Sequence, residues 1–322
     1  MDLGELILHY YLKVFSLTFV ICVFLISLYI FNIFNKNIVL TDNFLTVNKG
    51  EKLENILRNK ILNISNLEIV IINIYNRINN ITFNNFIHYG EFYLDNNISI
   101  IDLLEIIYKP SNVLNKITIV EGWSKNQLKR ELSKYFVNYY DIPYEDIIAD
   151  TYFFEKNRDF DSFINKLKEI KKIYFENFIK NKLYQLYTKD QIMIIGSLIE
   201  KEALDNNDKG LIFSVIFNRL KLRMKLQIDA TVIYSLTDGK YNLNRKLLIS
   251  DLAKIHPYNT YVINGLPPKP ISYIGKKTLD IMFENNKSDF LFYFFNKSLN
   301  KHIFSKNYEN HVKKLNEYRK EK

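Results

Sequence analysis

Residues 14–34, VFSLTFVICVFLISLYIFNIF, carry no charge and are interrupted only by Ser16, Thr18, Ser27, Tyr29 and Asn32. About 20 such residues suffice to cross the hydrocarbon core of a bilayer as a helix. A cleaved signal peptide is the competing reading, but its apolar region is shorter and ends in a small-x-small site, which this stretch lacks. The expectation is a retained single-pass anchor behind a short tail, residues 1–13. Flanking charge does not set its orientation, because Asp2, Glu5 and Lys13 precede the run and Lys36 follows it.

The rest of the chain is long enough for two domains: the protein has 322 residues, 48% of them hydrophobic. Lys and Arg total 44 against 35 Asp and Glu, a net charge of +9. Only Lys13, Asp2 and Glu5 fall in the first 34 residues, which leaves 43 basic against 33 acidic residues beyond them. A basic balance suits nucleic acid, an anionic membrane surface or an acidic polymer. These basic residues are scattered, however, with no zinc-finger spacing, RNA-recognition signature or basic helix interleaved with aromatics, so no nucleic-acid partner is expected. The single cysteine, Cys22, excludes an internal disulfide framework and sits in the apolar run.

Between residues 44 and 109, strand-like and helix-like patches alternate. Residues 47–51 form a turn signal, and Leu53, Ile56, Leu57 and Ile61 follow at helical spacing. Residues 92–94 then precede a helix that Ser99 and Asp102 are placed to begin. This is a small α+β module, readable either as a spacer or as a binding module. Residues 116–122 look like a strand, and Ser124 with Gln127 caps a helix over 125–136. Residues 160–187 read as one charged, amphipathic helix.

Residues 192–203 are an apolar run that ends in two carboxylates, Glu200 and Glu202. Thr188 and Gln191 form a capping box, which places a helix from about residue 189 to about 204. At about 100° per residue, Ile192, Ile195, Leu198, Ile199 and Ala203 share one side; Glu202 falls inside that stripe and Glu200 at its edge. Burial disfavours a carboxylate, so Glu202 is expected to hold its proton unusually well and to serve as a general acid. The bland alternative is an ordinary surface Glu-Lys-Glu turn with Glu202 in a salt bridge.

A second apolar helix over 210–222 carries Asn218 and Arg219. Residues 226–234, with Gln227, Asp229, Thr231 and Tyr234, and residues 257–261, with Tyr258, Asn259 and Tyr261, are dense in amides, hydroxyls and phenols. Such side chains suit a sugar polymer, whose hydroxyls need donors and acceptors and whose ring faces need flat apolar partners. No ligand spacing for a metal occurs, so neither metal nor other cofactor is expected.

Taken together, Ser197-Leu198-Ile199-Glu200-Lys201-Glu202-Ala203, Phe213-Ser214-Val215-Ile216-Phe217-Asn218-Arg219-Leu220, residues 226–234, Tyr258-Asn259-Thr260-Tyr261 and Gly265-Leu266-Pro267-Pro268 resemble the MltG-type (YceG-like) endolytic murein transglycosylases. Weaker matches lie at 47–50, 89–93, 120–123 and 150–152. The resemblance implies an α+β protein with a transmembrane helix at 14–34, a LysM-like subdomain at 40–112 and a mixed α+β catalytic domain at 116–322. It implies an enzyme of the bacterial inner membrane, with its large C-terminal domain in the periplasm or outside the membrane. Such an enzyme cleaves peptidoglycan strands internally to give 1,6-anhydro ends, and cell-wall synthases are candidate partners.

The second Glu of the family's Glu-Lys-Glu motif maps onto Glu202, leaving Glu200 a supporting role near the cleft. Asn218, Gln227, Asp229, Thr231, Tyr234, Tyr258, Asn259 and Tyr261 are the expected substrate-binding residues. The chain departs from the family where it has Asp229-Ala230-Thr231 in place of Asp-Pro-Thr, and Ile274 where proline commonly stands. A membrane-tethered, inactive wall-binding or scaffold protein of the same fold is the alternative.

Overall fold

The computed structural model describes residues 3–95, 97–156, 158–284 and 288–320. The chain divides into two compact units, residues 1–115 with 154–158, and residues 116–153 with 159–322. The architecture is mixed α+β, as expected from the sequence.

The first unit opens with α1 (Leu3–Asn35), followed by β1 (Phe44–Val47), α2 (Leu53–Lys60), α3 (Asn66–Phe83), β2 (Gly90–Tyr93) and α4 (Ile100–Ile107). Within α1, His9–Asn35 is 27 residues long with a mean hydropathy of 2.6, long and apolar enough to cross a membrane. Strands β1 and β2 pair antiparallel with Leu45 opposite Phe92. Alternation along the strands turns Leu45, Val47 and Phe92 inward onto Leu53, Ile56 and Leu57 of α2, Ile69 and Ile72 of α3, and Leu103 and Leu104 of α4. The end of α1 joins the same core through Ile33 and Phe34. Ser99 caps α4 reciprocally with Asp102, as its spacing predicts.

β3 (Leu114–Thr118) pairs with β4 (Thr151–Glu155), and α5 (Lys125–Leu132) lies between them in sequence, capped by Ser124 and Gln127. Then come α6 (Phe160–Glu176), α7 (Lys182–Leu186), α8 (Lys189–Glu202), α9 (Asn206–Lys221), α10 (Asp229–Thr237), α11 (Ile249–Leu252) and α12 (Lys276–Glu284). A hairpin of β5 (Phe292–Asn296) and β6 (Lys301–Ser305) and a last helix, α13 (Tyr308–Lys320), complete the second unit.

The helix expected over 160–187 is broken in two. Asn181 caps α7 by accepting from the Leu183 N–H and donates to the Phe283 carbonyl, while Phe178 stacks on Phe283 at 4.3 Å. The side-chain cap satisfies a backbone N–H freed at the break, and the stack packs the turn against α12.

Helix α8 is the axis of the second unit. Its eight residues from Ile192 to Ile199 are all buried, so the one-sided stripe read from the sequence is in fact a helix enclosed all round. Ile192, Met193, Ile195, Leu198 and Ile199 pack with Ile212, Phe213, Val215 and Ile216 of α9 and with Leu279 and Met282 of α12. Gly196 permits this enclosure: a Cβ there would come within 3.0 Å of Ile274. Ser197 accepts from the Ile271 N–H, and its carbonyl accepts from the Ser272 hydroxyl, so the segment after Pro270 is stitched to α8.

Candidate active site

The two carboxylates at the end of α8 are about 200° apart on the helix, and full enclosure gives each a different protein surface. Glu200 is almost wholly enclosed, its side chain only 3% exposed. It accepts from the Gly275 N–H at 2.9 Å and the Thr278 hydroxyl at 2.5 Å, and pairs with Lys209 at 3.0 Å. With both oxygens occupied by α9 and the start of α12, Glu200 is a fastening between helices. It is absent from the cleft lining, so any support it gives Glu202 runs through the helices it fastens.

Glu202 opens onto a cleft of about 520 Å³ within the second unit. Its lining includes Ser124, Asn126, Gln127 and Arg130 from α5 and its cap, Asp229, Ala230 and Tyr234 from α10, and Lys201, Lys240 and Tyr241. Part of the Glu202 side chain reaches the cleft, yet the surrounding protein is dense enough that desolvation raises its pKa above the ordinary carboxylic value. The Asp229 charge pushes in the same direction. The Tyr293 hydroxyl, which donates to Glu202 Oε2 at 3.0 Å, and the Ala230 backbone N–H oppose the rise without cancelling it. A proline at position 230 has no N–H to offer, so the Asp-Ala-Thr departure adds a donor to the acid.

Tyr293 lies on β5 facing the same side as His302 and Phe304 of β6. His302 is anchored by Asp208, 2.7 Å from its Nδ1. Burial and the neighbouring Glu202 both drive the Tyr293 hydroxyl well above its usual pKa, so it stays a hydrogen-bond donor.

Asp229 begins α10, where its negative charge favours the helix N-terminus, and Tyr261 donates to it at 2.6 Å. Tyr234 lines the cleft and packs against Tyr258 at 4.7 Å. Gln227 is exposed, with a left-handed φ of 53°, and its Oε1 lies 3.4 Å from the buried Arg219 guanidinium. The structure thus brings Glu202, Asp229 and Tyr234 to one cleft, with Tyr258 and Tyr261 contacting its wall.

Three expected substrate-binding residues point inward instead. Asn218 donates to the Ser288 and Phe290 carbonyls. Thr231 is fully buried against the Thr260 hydroxyl and the Ile228 carbonyl. Asn259, also fully buried, donates to the carbonyls of Leu252 and Lys254 and accepts from the Tyr261 N–H. These side chains hold loops in shape, since a buried polar group without a partner is costly. Asn259→Ala is expected to lower stability by about 1–3 kcal/mol, read as an earlier denaturant midpoint, by stranding those carbonyls.

Sequence reasoning missed Tyr293 and the basic rim of Arg130, Lys201 and Lys240. Tyr293 stands in the run Leu291-Phe292-Tyr293-Phe294-Phe295, where nothing marks one aromatic as functional. Ser124 and Gln127 were legible only as a helix cap.

The sequence profile of the YceG-like family matches residues 45–317. The chain belongs to the YceG-like family. An endolytic murein transglycosylase of Bacillus subtilis is 38% identical over 128 residues, 40% of this chain and 34% of that protein. One of Streptococcus pneumoniae is 30% identical over 134 residues, 41% of this chain and 24% of that protein. The chain therefore spans about a third or less of the curated relatives it matches. The crystal structure of a yceG-like protein from Listeria monocytogenes superposes with a TM-score of 0.53 at 25% identity, covering 84% of this chain and 97% of that one.

Proposed function

We propose that this YceG-like protein is a membrane-anchored endolytic peptidoglycan transglycosylase, with Glu202 as its single acid and base. The observation that carries the reading is Glu202 itself: a carboxyl whose pKa burial raises, opening onto a cleft lined with amides, hydroxyls and cations. The names of its Bacillus and Streptococcus relatives support it.

In this mechanism Glu202 gives its proton to the glycosidic oxygen as the bond to the N-acetylmuramic acid anomeric carbon breaks. The 6-hydroxyl of the same sugar bonds to that carbon and returns its proton to the Glu202 carboxylate, leaving a 1,6-anhydro end and restoring the acid. Because the nucleophile belongs to the substrate, the step has the advantage of an intramolecular reaction and needs no second enzyme carboxylate. Tyr293 holds the Glu202 carboxyl in place, and burial, helped by the charge of Asp229 that Tyr261 fixes, favours its protonated form. Tyr234 and Tyr258 offer ring faces to the sugars, and Gln227 stands ready at the surface. The nine-tenths of the chain beyond α1 would lie outside a bacterial inner membrane with α1 as the anchor, and residues 40–112 are read as the LysM-like subdomain.

Asp229 is a second carboxylate in the cleft, so the product decides the reaction class. Purified glycan strands treated with the protein should give anhydro-ended fragments in a mass spectrum. Reducing ends would make it a hydrolase instead, and sedimentation with sacculi without cleavage would make it an inert binder.

The pH dependence tests the acid directly. Activity requires protonated Glu202 and so falls as pH rises through its pKa. Tyr293→Phe removes a bond that favours the carboxylate, so the alkaline limb of kcat/KM should move to higher pH. Asp229→Asn removes a repulsive charge and should move that limb lower. Shifts of the same sign in both variants would disprove the assignment.

A further inference from the structure

We infer that α3 lies against the membrane surface, with an exposed apolar strip seated among the lipid headgroups and upper acyl chains beside the emerging span. The inference rests on the membrane-anchor reading of α1 and goes beyond it, because it gives the first unit a bilayer-facing side.

The strip is Leu67, Val70, Ile74, Ile78 and Ile81, each more than half exposed and Ile81 87% exposed. Its spacing of three, four, four and three residues gathers it into an arc of roughly 80° along about 21 Å of helix. This is a second apolar face. Ile69 and Ile72 on the other side already fill the core of the unit, so the strip is not needed for folding. Among the 18 residues of α3 only Glu68 and Arg77 are charged. Five large aliphatic side chains in one uncharged row are what a soluble surface avoids and what an interfacial helix uses.

The occupant is identified by where α3 is tied. Its first turn is fastened to the end of α1: Glu68 pairs with Lys36 at 2.6 Å. Two turns further on, Tyr75 packs on Phe34 with ring centroids 4.6 Å apart. Glu68 also shares a crevice with Tyr29, Asn32 and Ile33. Tyr29 is six residues before the end of α1, so the start of α3 sits level with roughly the last 9 Å of that helix. The apolar segment of 27 residues is about 40 Å long, against a hydrocarbon core of about 30 Å, so its end reaches the headgroup zone. The strip therefore begins at headgroup depth. Arg77, exposed at its polar edge, is placed to run its stem along the strip and its charge toward lipid phosphates.

The test uses the full-length protein in liposomes of phosphatidylethanolamine and phosphatidylglycerol. A Cys22→Ser background carries either Ile78→Cys or Val23→Cys, labelled with an environment-sensitive fluorophore. The label at position 78 should emit at shorter wavelength than in detergent-free water and lose intensity with spin-labelled lipids, more with a shallow than with a deep spin label. The label at position 23 should be quenched most by the deep one.

If position 23 is quenched and position 78 is not, the anchor stands and the inference on α3 fails. Shielding of position 78 from aqueous iodide without lipid quenching would also overturn it, because a second copy or another protein would then cover the strip. Absence of lipid quenching at position 23 would remove the anchor and this inference with it.

Discussion

Glu202→Gln is expected to lower release of anhydro-ended glycan by about 10²- to 10⁴-fold, the usual loss when one positioned acid is removed. The same substitution should make the folded protein more stable at neutral pH. Burial raises the pKa of Glu202 in the folded state above its unfolded value, so the folded protein holds the proton more tightly. Stability is then lost as pH rises from the unfolded value near 4.5 through the higher folded value. Gln carries no such cost. The gain over wild type should be full above the folded pKa and vanish below about pH 4, where both forms are neutral. Thermal melts across that range, beside product analysis at one pH, check both halves. Retained cleavage by Glu202→Gln would end the catalytic assignment, and a variant less stable at pH 7 would deny that the carboxyl is held against its preference for water.

Glu200→Gln should do the opposite. Glu200 and Lys209 form a buried pair, 3% and 12% exposed, and removing one partner leaves the other charge uncompensated. Such losses run to about 3–5 kcal/mol. The single tryptophan, Trp123, belongs to the second unit and reports its unfolding by fluorescence. The denaturant midpoint should drop sharply, while the molecules still folded should cleave glycan with an unchanged pH profile. Replacing both partners, as Glu200→Met with Lys209→Met, should recover part of the stability: no buried charge then lacks a partner, although the Gly275 N–H and the Thr278 hydroxyl lose their acceptor. An unaltered midpoint together with abolished turnover would move Glu200 into the chemistry.

How far the sequence could be read depended on the range of each signal. The helix starts at Ser99, Ser124 and Thr188 were legible because a capping box is complete within four residues. Ser65 and Glu68 carry the same signal for α3, but that helix has apolar residues on two faces, and the mixture obscures the 3.6-residue period. Helix α12, the β5–β6 hairpin and α13 had no counterpart in the sequence reading. Tyr293 depends on strand pairing and on packing across 91 residues, which no local pattern encodes.

The candidate site divides along the same line. Tyr258, Asn259 and Tyr261 fall in one short segment, so the sequence marks the segment. Only the fold decides that Tyr258 packs on a cleft tyrosine, that Tyr261 holds Asp229, and that Asn259 turns inward to hold a loop. Neighbours along a loop point in unrelated directions, whereas residues along a regular element do not.

By itself the sequence determined an apolar N-terminal segment long enough to span a bilayer, a mixed α+β chain, its family, and a helix ending in two carboxylates. Where those carboxylates point was decided by tertiary structure. Their spacing of two turns them to opposite sides of α8, and each side meets a different neighbour. A lysine and an amide N–H fasten Glu200 between helices, while desolvation and a nearby aspartate raise the pKa of Glu202. Protonation depends on surroundings drawn from distant parts of the chain, and those surroundings exist only once it has folded.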